Sequence, residues 1–206
     1  MINANAQITT ARHEDRRKEA RYMLVLRAGV LKQKGRTSFC MVKNISTTGV
    51  QLKTYAAPIL HAKATLSVAD EQPVSGRIAW IKGDTAGISL DRELDSETLL
   101  RVQQKLRPDK RRSIPRIDVE ASAQLRTGGR ILRATVLDIS SLGARLRADT
   151  KLHLVDRVLV EFADLPSISA HVRWVHDGEI GVALDTPIPM QIIAQWLEGR
   201  IACSGS

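Results

Sequence analysis

The feature that most constrains this chain is that its second half repeats its first. NISTTGVQL (Asn44 to Leu52) returns as DISSLGARL (Asp138 to Leu146), and RIAWIKGDTAGISLD (Arg77 to Asp91) returns as HVRWVHDGEIGVALD (His171 to Asp185). Both pairs are 94 residues apart. A third pair, RRKEAR (Arg16 to Arg21) and RRSIPR (Arg111 to Arg116), is 95 apart, so one residue was gained or lost between the arginine segment and the Asn/Asp segment. Chance similarity does not hold its register over so long a span. The repeat divides the 206 residues into two units of small-domain size, with boundaries expected at 12–107 and 108–201.

Each unit reads as short strands separated by polar or Gly/Asp turns. In the first, strands are expected at 22–31, 38–45, 49–54, 64–68, 74–81 and 86–90. In the second they are expected at 117–126, 131–139, 144–147, 157–162, 168–175 and 180–184. Six short strands at this spacing predict an antiparallel barrel, whose closure removes exposed sheet edges. A helix signal follows each set. Asp95 and Ser96 offer N-cap chemistry before Thr98 to Leu106, and Pro187 and Pro189 precede Met190 to Arg200. Leu99, Leu100, Val102 and Leu106 would cover one helix face. Ile192, Ile193, Trp196 and Leu197 would do the same for the other. The expected fold is mainly all-β: two six-stranded antiparallel barrels in tandem, each followed by a C-terminal helix. Residues 107–112 would then be the linker, which also delivers the second arginine segment.

Composition narrows the function. Hydrophobic residues make up 43% and charged residues 26%, as in a soluble globular protein. No apolar run approaches the roughly 20 residues of a membrane helix, and the polar N-terminus lacks the core of a secretory signal, so a cytoplasmic location is expected. Cys40 and Cys203 suggest no disulfide framework. The net charge of +9 is concentrated in residues 1–107, which carry +8, and favours an anionic partner. His13, His61, His153, His171 and His176 show no metal-ligand spacing, so no metal is expected. No phosphate-binding loop or Ser-His-Asp pattern stands out and no carboxylates are paired for acid–base work, so the chain reads as a binding protein and not an enzyme.

Two segments in each unit carry binding chemistry. Arg17 and Arg21 are four apart, as are Arg112 and Arg116, and Arg16 and Arg111 directly precede them. A guanidinium is a flat fork of donors suited to phosphate oxygens and to the O6/N7 edge of guanine. It also stacks on a purine face. Asn44, Ser46 and Gly49 in one unit, and Asp138, Ser140 and Gly143 in the other, lie on a turn between two strands. Asp accepts hydrogen bonds from guanine N1 and N2, and Asn does part of this through its carbonyl. Ser is small enough for close approach, and Gly permits a tight turn. Either segment alone is weak as a signal, but both recur together in the same order. Trp80 and Trp174 occupy equivalent strand positions. Core packing is their expected role, with stacking on guanine as the alternative. Gly87 and Gly181 are expected to relieve crowding at a strand bend.

This pattern resembles the PilZ family: RxxxR, then [D/N]xSxxG, on a six-stranded barrel. The resemblance covers nearly all of residues 12–200. It implies cyclic di-GMP as ligand, bound on the barrel exterior beneath the arginine-bearing arm by Arg16, Arg17, Arg21, Asn44, Ser46 and Gly49, and by Arg111, Arg112, Arg116, Asp138, Ser140 and Gly143. An arginine preceding the pair is associated in the family with a stacked pair of ligand molecules. Asn44 lacks the charge of Asp138, so the first site is expected to be the weaker. No cofactor beyond this ligand is implied. The expected function is a second-messenger receptor that passes the signal, through ordering of the arm and rearrangement of the barrels, to a downstream protein the sequence does not name. Two other readings compete: a basic nucleic-acid-binding module, disfavoured by the scarcity of aromatics, and a tandem scaffold in which one site is silent.

Overall fold

Alternating apolar and polar residues between tight turns favour hairpins. In a computed structural model, residues 22–68, 72–95, 97–98, 114–148 and 152–203 are described, those at 22–26 and 201–203 by backbone alone. The first unit contains β1 (Tyr22–Gln33), β2 (Arg36–Ile45), β3 (Gly49–Thr54), β4 (Lys63–Val68), β5 (Val74–Lys82) and β6 (Thr85–Leu90). The second contains β7 (Ile117–Thr127), β8 (Arg130–Ser140), β9 (Gly143–Arg147), β10 (Arg157–Phe162), β11 (Ile168–His176) and β12 (Glu179–Leu184), followed by α1 (Met190–Cys203). Each set closes into a six-stranded barrel, in the orders β1-β2-β3-β6-β5-β4 and β10-β11-β12-β9-β8-β7. All the strand pairs are antiparallel. The hairpin turns show why they are tight: Lys34 and Gly35, like Asp177 and Gly178, both have positive φ, the geometry that matches strand twist.

The barrel interiors are apolar. Leu31, Cys40, Val42, Leu52, Leu66, Ile78 and Ile88 fill the first. Leu125, Val136, Ile139, Leu146, Val160, Val172 and Val182 fill the second. The expected first helix lies outside the described residues beyond Thr98. Its cap is in place: Asp95 accepts from the Thr98 backbone N–H (2.6 Å) and hydroxyl (2.9 Å). In α1, Ile193, Trp196 and Leu197 are buried as expected, but Ile192 is 39% exposed. The buried stripe runs instead through Ala194. The Trp196 indole N–H donates to the Ala163 carbonyl (2.6 Å), and its ring meets Phe162 edge-on.

One contact breaks the symmetry of the repeat. Val30 and Phe39 face each other across β1 and β2 on the outside of the first barrel, yet Phe39 is 0% exposed. Both belong to the core cluster of the second barrel and its helix, where α1 and β7 meet β2. The equivalent pair on the second barrel is Gln124 and Arg133.

Candidate functional site

Bulges decide which residues reach the outer surface. In an undisturbed strand Asp138 shares a face with Val136, which is inside. A register shift between Val136 and Asp138 inserts Leu137 and turns Asp138 outward, while Ile139 returns to the core. The same shift lies between Val42 and Asn44. A second bulge, between Val172 and Trp174, or Ile78 and Trp80, turns the tryptophan out as well.

This corrects the expectation of core packing for the tryptophans. Trp80 is 42% exposed and Trp174 39% exposed. The expectation failed because strand alternation places them inside once the bulge is ignored. Each indole lies over a glycine on the neighbouring strand. A methyl group on Gly87 or Gly181 would collide with it, so these glycines do relieve crowding.

The bulges bring the outward residues into one row across the barrel. In the second unit, Trp174 pairs with Gly181, Gly181 with Arg145, and Arg145 with Asp138. In the first, Trp80 pairs with Gly87, Gly87 with Gln51, and Gln51 with Asn44. Three strand spacings make each row about 14 Å long.

The second row is ionic. Arg116 Nη1 donates to Asp138 Oδ1 at 2.6 Å, and Arg145 Nε donates to Asp138 Oδ2 at 2.8 Å. Arg145 also reaches Glu179 (3.5 Å), which holds Arg147 (3.2 Å). The Asp138 side chain is only 10% exposed, against 49% for Arg116 and 39% for Arg145. Two guanidiniums thus stand against one enclosed carboxylate. Those guanidiniums keep further N–H donors on their solvent side. A hollow of about 560 Å³ adjoins Arg145, lined also by Asp118, Glu120, Arg147 and Glu179 among others. A larger hollow, about 1710 Å³, lies between α1, β7 and the β1–β2 turn, and none of the described motif residues lines it.

The first row is neutral. Asn44 Nδ2 donates to Gln51 Oε1 at 2.6 Å. Thr85, the counterpart of Glu179, accepts from Lys43 (3.2 Å), and Lys53 pairs with Asp84 (3.2 Å).

Ser and Gly of the motif hold the turn. Ser140 Oγ donates to the Gly143 carbonyl (3.1 Å) and is buried, and Ser46 makes the same contact (3.2 Å). Neither Gly49 nor Gly143 has a positive φ, which corrects the expectation of a special turn conformation. Their lack of a side chain matters for packing. A Cβ on Gly143 would collide with the Val182 carbonyl, and one on Gly49 would sit 3.1 Å from the Ile88 carbonyl.

The structure thus brings Arg116, Asp138, Ser140 and Gly143 together, and Asn44, Ser46 and Gly49 likewise. Arg16, Arg17, Arg21, Arg111 and Arg112 lie outside the described residues. Sequence reasoning missed Gln51, Arg145, Arg147 and Glu179. For Arg145 a signal existed: a two-residue turn at Ser141 and Leu142 sets Asp138 opposite it. Among the described residues, no group of three or more His, Cys, Asp or Glu is placed to hold a metal ion, and no helix is long and apolar enough to cross a membrane.

Two six-stranded antiparallel barrels, each with an outward row that starts at Asn44 or Asp138, define a tandem β-barrel protein. The family model for the PilZ domain matches residues 15–107 and again residues 110–199, and the chain belongs to that family. No curated protein matches the chain. Among solved structures it is similar to the Borreliella burgdorferi PlzA protein in complex with c-di-GMP, at 14% identity and TM-score 0.38, covering 88% of this chain and 94% of that one. It is also similar to the Bacillus subtilis inhibitor of motility MotI/DgrA, at 14% identity and TM-score 0.37, covering 87% and 98%. YcgR from Escherichia coli, in complex with c-di-GMP, gives 14% identity and TM-score 0.35, covering 86% and 84%.

Proposed function

We propose that this chain is a cyclic di-GMP receptor with one site on the outer face of each barrel. The observation that carries the reading is the second row, where Arg116 at the end of the arginine segment is already joined to Asp138. Arginines of the arm (Arg111, Arg112 and Arg116, with Arg16, Arg17 and Arg21 in the first unit) hold phosphate and the O6/N7 edge of guanine. Asp138 accepts the N1 and N2 hydrogens of the base, and Asn44 does part of this through its carbonyl. Ser46, Ser140, Gly49 and Gly143 shape the turn on which that acceptor stands. The exposed indole at the far end of each row offers a stacking face. Membership of the PilZ family supports the ligand's identity. Ligand binding orders the arm, shifts the barrels relative to each other and signals to a protein partner.

Isothermal titration with cyclic di-GMP tests this. Wild-type protein is expected to release or absorb heat with a stoichiometry that counts the working sites. Arg116→Ala or Asp138→Ala should weaken the second site by at least about tenfold, since a charged hydrogen bond contributes about 1.5–3 kcal/mol. Absence of any heat with folded wild-type protein would sink the proposal.

A further inference from the structure

Position 51 in the first barrel and position 145 in the second stand directly opposite the motif's Asn or Asp. They hold different residues, Gln51 and Arg145, and the difference tracks the partner. Asp138 has two oxygens that only accept. Arg145 Nε occupies Oδ2, and Oδ1 is turned towards Arg116. Asn44 has one acceptor and one donating group. Gln51 Oε1 takes the Nδ2 hydrogen at 2.6 Å, which holds Nδ2 towards β3 and keeps Oδ1 as the acceptor.

Exchanging the opposing residues would spoil both arrangements. An arginine opposite Asn44 would bring donor against donor, or reverse the amide and present Nδ2 outward. A glutamine opposite Asp138 would leave a nearly enclosed carboxylate with less compensating charge. The next residue in each row fits the same logic. Glu179 takes a hydrogen bond from Arg145, whereas its counterpart Thr85 is neutral.

We infer that Gln51 and Arg145 are positioning residues, each matched to its motif partner so that an acceptor oxygen of Asn44 or Asp138 faces the guanine. The inference rests on the reading of the rows as cyclic di-GMP sites.

The test is a matched-pair titration of the full chain with cyclic di-GMP. In an Asn44→Ala background, which isolates the second site, Asp138→Asn and Arg145→Gln should each weaken binding about tenfold. The double variant, which writes the first barrel's Asn–Gln pair into the second, should bind more tightly than either single one. In an Asp138→Ala background, Gln51→Arg should weaken the first site, and adding Asn44→Asp should restore it. This second cycle involves less buried groups and tolerates any folding loss in the first. Rescue in the doubles supports matching, because a merely structural role predicts additive losses. Additive losses beside normal wild-type binding overturn this inference alone. Wild-type protein that binds no cyclic di-GMP overturns the proposed function and this inference with it.

Discussion

At the scale of single residues, the two glycine–tryptophan pairs are the features whose removal is most readily detected. Each indole lies on the surface left bare by a missing Cβ. Gly181→Ala must push the Trp174 ring away or bend β12, and overpacking of this kind costs about 1–3 kcal/mol. A lowered melting temperature and altered tryptophan fluorescence are expected, with Trp174→Leu in the same background recovering much of the loss. An unchanged melt would show that the ring moves freely. These residues also mark where reading the sequence stops working. The repeat places Asn44 and Asp138 on equivalent strand ends, and tight-turn geometry sets Arg145 opposite Asp138. A bulge has no sequence signature here, so Trp80 and Trp174 read as core although both face out. Phe39 fails in the opposite sense. It alternates onto the outer face, and only the neighbouring barrel buries it.

At the scale of elements, β2 holds both the motif residue Asn44 and the buried thiol of Cys40, which sits opposite Gly29 and Thr54 in the centre of the first barrel. Burial pushes that thiol from 9.0 up to about 12. Its thiolate is therefore scarce in the folded barrel, and attack by a disulfide reagent requires β2 to open. In a Cys203→Ser background, labelling of native protein should be slow and should accelerate with denaturant along the unfolding curve of the first barrel. Burst labelling without denaturant would mean that β2 opens locally. The shift also has a stability consequence with a definite sign. Between about pH 9 and pH 12 the unfolded chain loses the Cys40 proton and the folded barrel keeps it. The free energy of unfolding then falls as pH rises, so the first barrel weakens across that window. Cys40→Ala should flatten this alkaline slope in pH-dependent melts, although its cavity lowers stability at every pH.

At the scale of the whole molecule, duplication supplied two barrels of one plan, and sequence divergence gave the first an apolar pair where the second has a polar one. Val30 and Phe39 occupy the positions that Gln124 and Arg133 hold in the second barrel. They are buried by α1 and β7, next to the point where the second arginine segment enters the barrel at Ile117. Arg116 binds Asp138 one residue before β7 begins, so the second row and this junction share one strand. Burying a phenylalanine contributes about 1.5–3 kcal/mol. Phe39→Arg, which copies the second barrel's own residue, should remove that contribution and set a charge against an apolar cluster. The barrels themselves should survive, since the interior of each is built from other residues. The expected result is a larger radius of gyration by solution scattering and separate melting transitions for the two barrels in place of one. A single cooperative melt and an unchanged scattering profile would mean that the linker alone holds the barrels together. If the signal crosses this junction, the same variant should keep its affinity for cyclic di-GMP at each site while losing any ligand-induced change in scattering.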